Sequence, residues 1–164
     1  MIFSYIYHTP DVCDNLLVTS DGAELTGIRF TKESDSGSMH HELPIFQETS
    51  RWLDVYFSGR KPDFVPKFRI ENATPFRNKV LEIVRTIPFG EVLTYGQIAE
   101  RIAEECGIER MSAQAVGGAV GWNPICIIIP CHRVMGANGS LTGYGGGIEN
   151  KKALLKLEGI SWRS

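Results

Sequence analysis

The stretch "TYGQIAERIAEECGIERMSAQAVGGAVG", residues 94–121, decides the architecture of the second half of the chain. Thr94 and Gln97 have the spacing of a capping box, in which side chain and backbone satisfy each other's orphan donors at a helix start. Ile98, Ile102 and Cys106 recur on one face, and Gly107 is a fitting C-cap. Ser112 caps a second, shorter helix. Two short helices on a tight linker predict a helix-turn-helix. The second helix is thin: Ala113, Ala115, Gly117, Gly118 and Ala119. Two interior glycines cost about 1 kcal/mol each against alanine. Close approach to a neighbouring helix or to something outside the chain would offset that cost.

Upstream, Thr74-Pro75 reads as an N-cap with proline at the first helical position. Phe76, Val80, Ile83, Val84 and Ile87 form one stripe, stopped by Pro88 and Gly90. Further upstream the chain reads as strands. "FSYIYH" is aromatic and β-branched, and "NLLVTSDGAELTGIRF" is a hairpin turning at Asp21-Gly22. Residues 33–39 form a polar loop. Leu43, Phe46, Ser50, Leu53 and Phe57 give a helix started by Pro44 and ended by Gly59. Residues 59–75, with three prolines, are extended connection and at most one short strand. The domain boundary falls near 71–74, giving domains 1–73 and 74–164.

Downstream of the two helices, "ICIII" (125–129) reads as a strand, Asn138-Gly139 as a turn and "LTGYGGG" (141–147) as a glycine loop. A last helix, "IENKKALLKLEG", presents Leu154, Leu155 and Leu157 on its apolar side. Lys151, Lys152 and Lys156 fit a solvated face.

Composition narrows the function classes. The chain has 164 residues and net charge −2, which argues against a strongly basic nucleic-acid binder. Residues 1–72 hold 7 Lys/Arg against 11 Asp/Glu, and residues 73–164 hold 10 against 8, so a polyanion would sit on the second half. The apolar run Ile125–Ile129 is far too short to span a bilayer. The N-terminus has no signal-peptide pattern. Four cysteines without framework spacing (13, 106, 126 and 131) imply a reducing cytoplasm.

The chemistry concentrates in "NPICIIIPCHRVMG", residues 123–136. Zinc wants about four N/S ligands in close pairs, and no CxxC exists, so no metal is expected. Burial as small hydrophobes suits Cys13, Cys106 and Cys126. Cys131 is different. Pro130 breaks the strand before it, and His132 and Arg133 follow at once. A free thiol near pKa ~8.5 is only a few per cent thiolate at neutral pH, so a nucleophile needs a base nearby. His132 is the candidate base, although adjacent residues on a strand face opposite ways. A kink at Pro130 or a bridging water would solve this. The histidine also needs an orienting carboxylate; Glu158 is one of several, and spacing alone does not choose it. "GYGGG" lacks the GxxxxGK[ST] form of a phosphate loop.

"NP", "PCHRV" and "GSLTGYGGG…K..LLKLEG", with "TPFRNKVLEIVRTIPFGEVLTYGQIAERI" and "AVGGAV" upstream, resemble the O6-alkylguanine-DNA alkyltransferase family over residues 74–159. The N-terminal part fits the family's smaller, variable domain more loosely. The resemblance implies a ribonuclease-H-like α/β first domain with an antiparallel sheet. It implies a mainly helical second domain with a winged helix-turn-helix. The activity implied is repair without a cofactor: a monomer binds duplex DNA in the minor groove and flips out O6-alkylguanine. The alkyl group moves irreversibly to Cys131, and O4-alkylthymine stays open as a second substrate. His132 would take the thiol proton through a water, Glu158 would hold the histidine tautomer, and Asn123 would order the segment. Tyr95 would help rotate the nucleotide and donate to the leaving base, and Val134 would offer its carbonyl to the guanine amino group. Tyr144 and Gly145 would line the base pocket. Gln114 and Ala115 belong to the DNA-contacting face; Gln114 stands where family members carry an arginine that fills the gap left by the base. Arg133 is counted with the DNA-contacting set, although a structural ion pair suits it better. A Cys-His hydrolase is the rival reading, and it would turn over.

Overall fold

A computed structural model describes every residue except 35–39, 41, 142 and 164. The polar loop expected over 33–39 therefore lies largely outside the described residues. The chain divides into two compact units: Met1–Glu71 with Pro124–Cys126, and Asn72–Asn123 with Ile127–Ser164.

The first unit is a three-stranded antiparallel meander of β1 (Phe3–Tyr7), β2 (Asn15–Ser20) and β3 (Leu25–Thr31), with a helix, α1 (Pro44–Phe57). Alternation sets the buried face: Leu16, Val18 and Ser20 of β2 are buried, and the residues between them are not. At the β2–β3 turn Asp21 Oδ1 accepts from the amides of Ala23 and Glu24, and Gly22 takes φ 106°. Helix α1 buries Ile45, Phe46, Thr49, Trp52, Leu53 and Tyr56, so its inner face keeps Phe46 and Leu53 of the expected stripe but is centred one residue before Ser50 and Phe57, which are half-buried. Phe46 meets Tyr5 of β1, with ring centroids 4.6 Å apart. The connection after α1 touches β3 at one bridge, where Leu25 N–H donates to Lys67 O and Arg69 N–H to Leu25 O.

The expected strand over 125–129 does not form. Ile28 N–H donates to Pro124 O and Cys126 N–H to Ile28 O, so 124–126 makes only a bridge to β3. Ile127 then adopts φ 71°, a costly conformation for a β-branched residue, and the chain turns. The apolar run is continuous because its residues are buried, not because they share a strand: Ile125, Ile127 and Ile129 are each at most 1% exposed.

The second unit begins with α2 (Pro75–Arg85), capped by the Thr74 hydroxyl accepting from Arg77 N–H. A two-residue strand, β4 (Leu93–Thr94), leads into α3 (Tyr95–Cys106). The capping box at Thr94 and Gln97 is complete in both directions, and Gly107 closes α3 at φ 64°. Ser112 caps α4 (Ala113–Gly121) by accepting from Ala115 N–H. Helices α2, α3 and α4 pack together. Ile98 and Ile102 are buried there, each contributing about 1.5–3 kcal/mol of apolar transfer. Cys106, expected on that buried face, is exposed; Ala99 and Ala103 complete the face instead. The cause is position: Cys106 is the last helical residue, where the helix leaves its neighbours.

A parallel pair of short strands organises the rest of this unit. Leu93 and Thr94 of β4 register with Val134 and Met135 of β5 (Val134–Met135). The start of α3 is thereby fixed beside the segment that carries Cys131. The unit ends with α5 (Ile148–Leu157).

Candidate active site

Pro130 ends the extended run, and Cys131–Arg133 then form one 3-10 turn, with Arg133 N–H donating to Pro130 O. The segment is therefore a turn at Cys131 and His132, and the strict alternation of a strand does not hold there. Asn123, next to the C-cap of α4, donates its carboxamide N–H to Ile129 O at 2.8 Å. It thus ties the end of that helix to the approach to Cys131.

Cys131, His132, Arg133 and Glu158 are all buried. His132 Nε2 lies 2.6 Å from Glu158 Oε2. An ionised carboxylate only accepts, so Nε2 carries the proton and Nδ1 is the basic nitrogen; the tautomer is assigned from its partner. Arg133 grips the same carboxylate with two N–H groups, Nε to Oε1 at 2.8 Å and an Nη to Oε2 at 3.1 Å. Gly90 N–H also donates to Oε1 at 2.9 Å, and Arg133 reaches Ile87 O. Burial alone would raise the Glu158 pKa, but the hydrogen bonds and charges of His132 and Arg133 outweigh it and hold the group down at about 2. Burial lowers the His132 pKa against the opposing pull of Glu158, so the imidazole is neutral at neutral pH.

Lys151 is a site residue that the sequence pattern does not reveal. Its expected place is a solvated face, yet it is fully buried, and its ammonium donates to Val134 O at 2.8 Å and lies 5.8 Å from the Tyr144 ring centroid. Burial lowers its pKa to about 8, partly offset by the electrostatic pull of Cys131. Lys152 and Lys156 are outside the core. Lys151 stands four residues and Lys152 three before Leu155, so helical spacing alone does not choose between them. Arg133 with Glu158 forms a compensated pair. Lys151 adds positive charge, which an anionic sulfur at Cys131 would balance.

Tyr144 brings its hydroxyl to 3.8 Å from Cys131 Sγ. A cleft of about 640 Å³ is lined by Thr94, Tyr95 and Gly96 at the start of α3 and by Ala113, Gln114, Gly117 and Gly121 of α4. Gly136, Ala137, Gly143 and Gly145 complete it. Gln114 and Ala115 are exposed. Gly145 approaches Gly121 O so closely that an added Cβ would sit 3.2 Å from it. Two residues differ from their expected use. Arg133 spends its guanidinium inside the core rather than on a DNA-facing surface, because the buried carboxylate needs a cation. Val134 O already accepts from Lys151, so one of its lone pairs is in use.

These features define a class: a two-domain protein with an N-terminal sheet domain, a C-terminal helical domain, and a cysteine beside a buried His–Glu pair. The chain belongs to the 6-O-methylguanine DNA methyltransferase family. Residues 75–160 match that family's DNA binding domain and residues 2–70 its ribonuclease-like domain. The methylated-DNA–protein-cysteine methyltransferase of Haemophilus influenzae is 40% identical over 162 residues, covering 96% of this chain and 88% of the relative. The crystal structure of the Mycobacterium tuberculosis O6-methylguanine methyltransferase superposes with a TM-score of 0.77 at 38% identity, covering 96% and 93% of the two chains. The M. tuberculosis OGT in complex with DNA gives 0.76 at 36% identity, covering 96% and 91%.

Proposed function

We infer that the protein repairs alkylated DNA by direct reversal, moving the alkyl group of O6-alkylguanine in duplex DNA onto Cys131 in a single turnover. The observation that carries this reading is the buried Cys131–His132 turn, with Glu158 bonded to the far nitrogen of His132. His132 Nδ1 takes the thiol proton, directly or through a water, and Glu158 steadies the imidazolium that forms. Lys151 favours the resulting thiolate by its charge. Sulfur attacks the saturated carbon: the C–S bond forms, the C–O6 bond breaks, and the electron pair leaves with guanine. Tyr95 at the start of α3 supplies a proton to the leaving base. A base inside a duplex cannot present its alkyl group in line, so the nucleotide leaves the stack at a cost of a few kcal/mol. The glycine-lined cleft, with Gly145 in its wall, receives it, and Tyr144 stands against Cys131. The product is a thioether, and no group among the described site residues is suited to reverse it.

The finer architecture belongs to the same reading. Domain 1–73 is ribonuclease-H-like, as the antiparallel meander with α1 supports. Domain 74–164 carries a winged helix-turn-helix, α3 with α4, whose thin second helix enters the minor groove with Gln114 filling the gap left by the base. Ala115 lies against the backbone. The protein acts as a monomer in the cytoplasm, in keeping with its four free cysteines. No helix among the described residues is long and apolar enough to cross a membrane.

The test is intact mass after mixing equimolar protein with a duplex containing O6-methylguanine. A gain of one methyl group mapped to Cys131, absent in Cys131→Ala, is expected. Tight lesion binding without a mass gain would replace transfer with sensing, and steady release of product from an ester substrate would favour a hydrolase.

A further inference from the structure

Three consecutive glycines, Gly145–Gly147, follow Tyr144, and such a run has more freedom to lose on ordering than any other. One backbone hydrogen bond closes this turn: Gly147 N–H donates to Tyr144 O at 2.9 Å. Gly147 sits at φ 99° as the N-cap of α5 and brings no side chain to the cap. The missing restraint comes from one turn further on. Asn150, 6% exposed in the first turn of α5, sends its carboxamide N–H back to Gly146 O at 2.7 Å. An ideal Cβ at Gly147 would lie 3.5 Å from that nitrogen, so side chain and turn are in contact.

We propose that Asn150 is a positioning residue for the alkyl transfer, holding the Tyr144–Gly147 turn so that Tyr144 stays against Cys131 and Gly145 keeps the cleft open. The acceptor is a carbonyl, so the residue must be a donor. Asparagine satisfies this, whereas the isosteric aspartate, an acceptor only, opposes it. The proposal rests on the alkyl-transfer reading above.

Asn150→Asp is the decisive variant. A carboxylate in the first turn suits the helix dipole, which offsets part of the cost of setting it against the Gly146 carbonyl. The single-turnover rate at saturating O6-methylguanine duplex is expected to fall on the order of 10- to 100-fold, as small misplacements of reacting groups do. Duplex affinity should stay close to wild type, and the melting temperature should fall only by the few degrees that one lost hydrogen bond costs, too little to account for the rate. Amide exchange at Gly147 should quicken, and Asn150→Gln should recover part of the rate. An Asn150→Asp protein that transfers at the wild-type limiting rate overturns the proposal alone. So does one whose rate falls only in step with its melting temperature. A wild-type protein that gains no methyl overturns the transfer reading and the proposal with it.

Discussion

His132, Arg133, Lys151 and Glu158 are buried and hydrogen-bonded, whereas the α3–α4 side of the cleft offers Gly96, Ala113, Gln114 and Gly117. The first region holds charges that water cannot screen. The second provides shape, with backbone near the surface and only uncharged side chains, Thr94, Tyr95 and Gln114 among them. Damage should therefore differ in kind. Around Cys131 a lost partner strands a buried charge, so effects are large and insensitive to salt. On the cleft wall they are small, graded and, where charge is added, dependent on salt.

The largest effect is expected from Glu158→Gln. It leaves the Arg133 guanidinium without its counter-ion and puts one accepting oxygen where two served His132, Arg133 and Gly90, the other place being taken by an NH2 donor. Breaking a buried pair this way costs about 3–5 kcal/mol. The transfer rate should drop on the order of 10³- to 10⁴-fold, as when a triad loses its orienting carboxylate. Denaturant melts and single-turnover kinetics check both. The same pair sets the pH dependence. Glu158 has its folded pKa lowered from 4.5 to about 2, so its stabilisation is complete above 4.5 and is lost as pH falls toward 2. His132 is also lowered, from 6.5, so stability is further lost as pH falls below that value. Glu158→Gln should remove the lower of these two acid steps.

Lys151→Met should act more mildly. It removes positive charge beside the sulfur and the donor to Val134 O, so the limiting transfer rate should fall about tenfold, the order of one lost charge-assisted hydrogen bond. Its signature lies at alkaline pH. The folded pKa is lowered from 10.5 to about 8, so between these values the unfolded chain holds a proton that the folded one has released, and stability rises with pH. The variant should lose that rise. If both proteins trace the same curve from pH 8 to 10.5, Lys151 is not the titrating group.

Much of the fold is legible in the sequence, and for identifiable reasons. Capping at Thr74, Thr94 and Ser112 is local chemistry, written within three residues. Strand β2 has a clean period of two, while β1 and β3 are legible by their aromatic and β-branched residues rather than by alternation. Burial without periodicity is harder to read. The run 125–129 is apolar throughout, so nothing in it distinguishes a strand from a buried turn, and the positive φ of Ile127 is imposed by its surroundings. The candidate site divides likewise. Cys131 and His132 are adjacent and visible, while Glu158 is 26 residues from His132 and only the fold selects it. Lys151 escapes a sequence reading because lysine is almost never buried unless paired, and its partner is a carbonyl 17 residues away.

On the cleft wall, Gln114→Arg tests whether the exposed tip of α4 meets DNA. One added cation should tighten duplex binding at low salt and steepen the salt dependence by about one unit of log K per log salt. Equal affinity and an unchanged slope across a salt titration would take position 114 off the interface.

The smallest effect, Gly118→Ala, separates two uses of a thin helix. An ideal Cβ at Gly118 meets nothing within 4 Å, so no neighbouring helix demands glycine there; at Gly117 the same atom would lie 3.8 Å from the Tyr95 ring. Within a helix the added methyl should stabilise the free protein by about 0.5–1 kcal/mol through helix propensity. Glycine at an exposed helical position thus costs stability and gains nothing inside the molecule, which leaves close approach by something outside it. If that something is the wall of the minor groove, Gly118→Ala should melt higher and bind duplex several-fold more weakly, the two measurements moving in opposite directions. A variant that melts higher and binds as tightly would put the duplex on another part of α4, nearer Gln114 and Ala115.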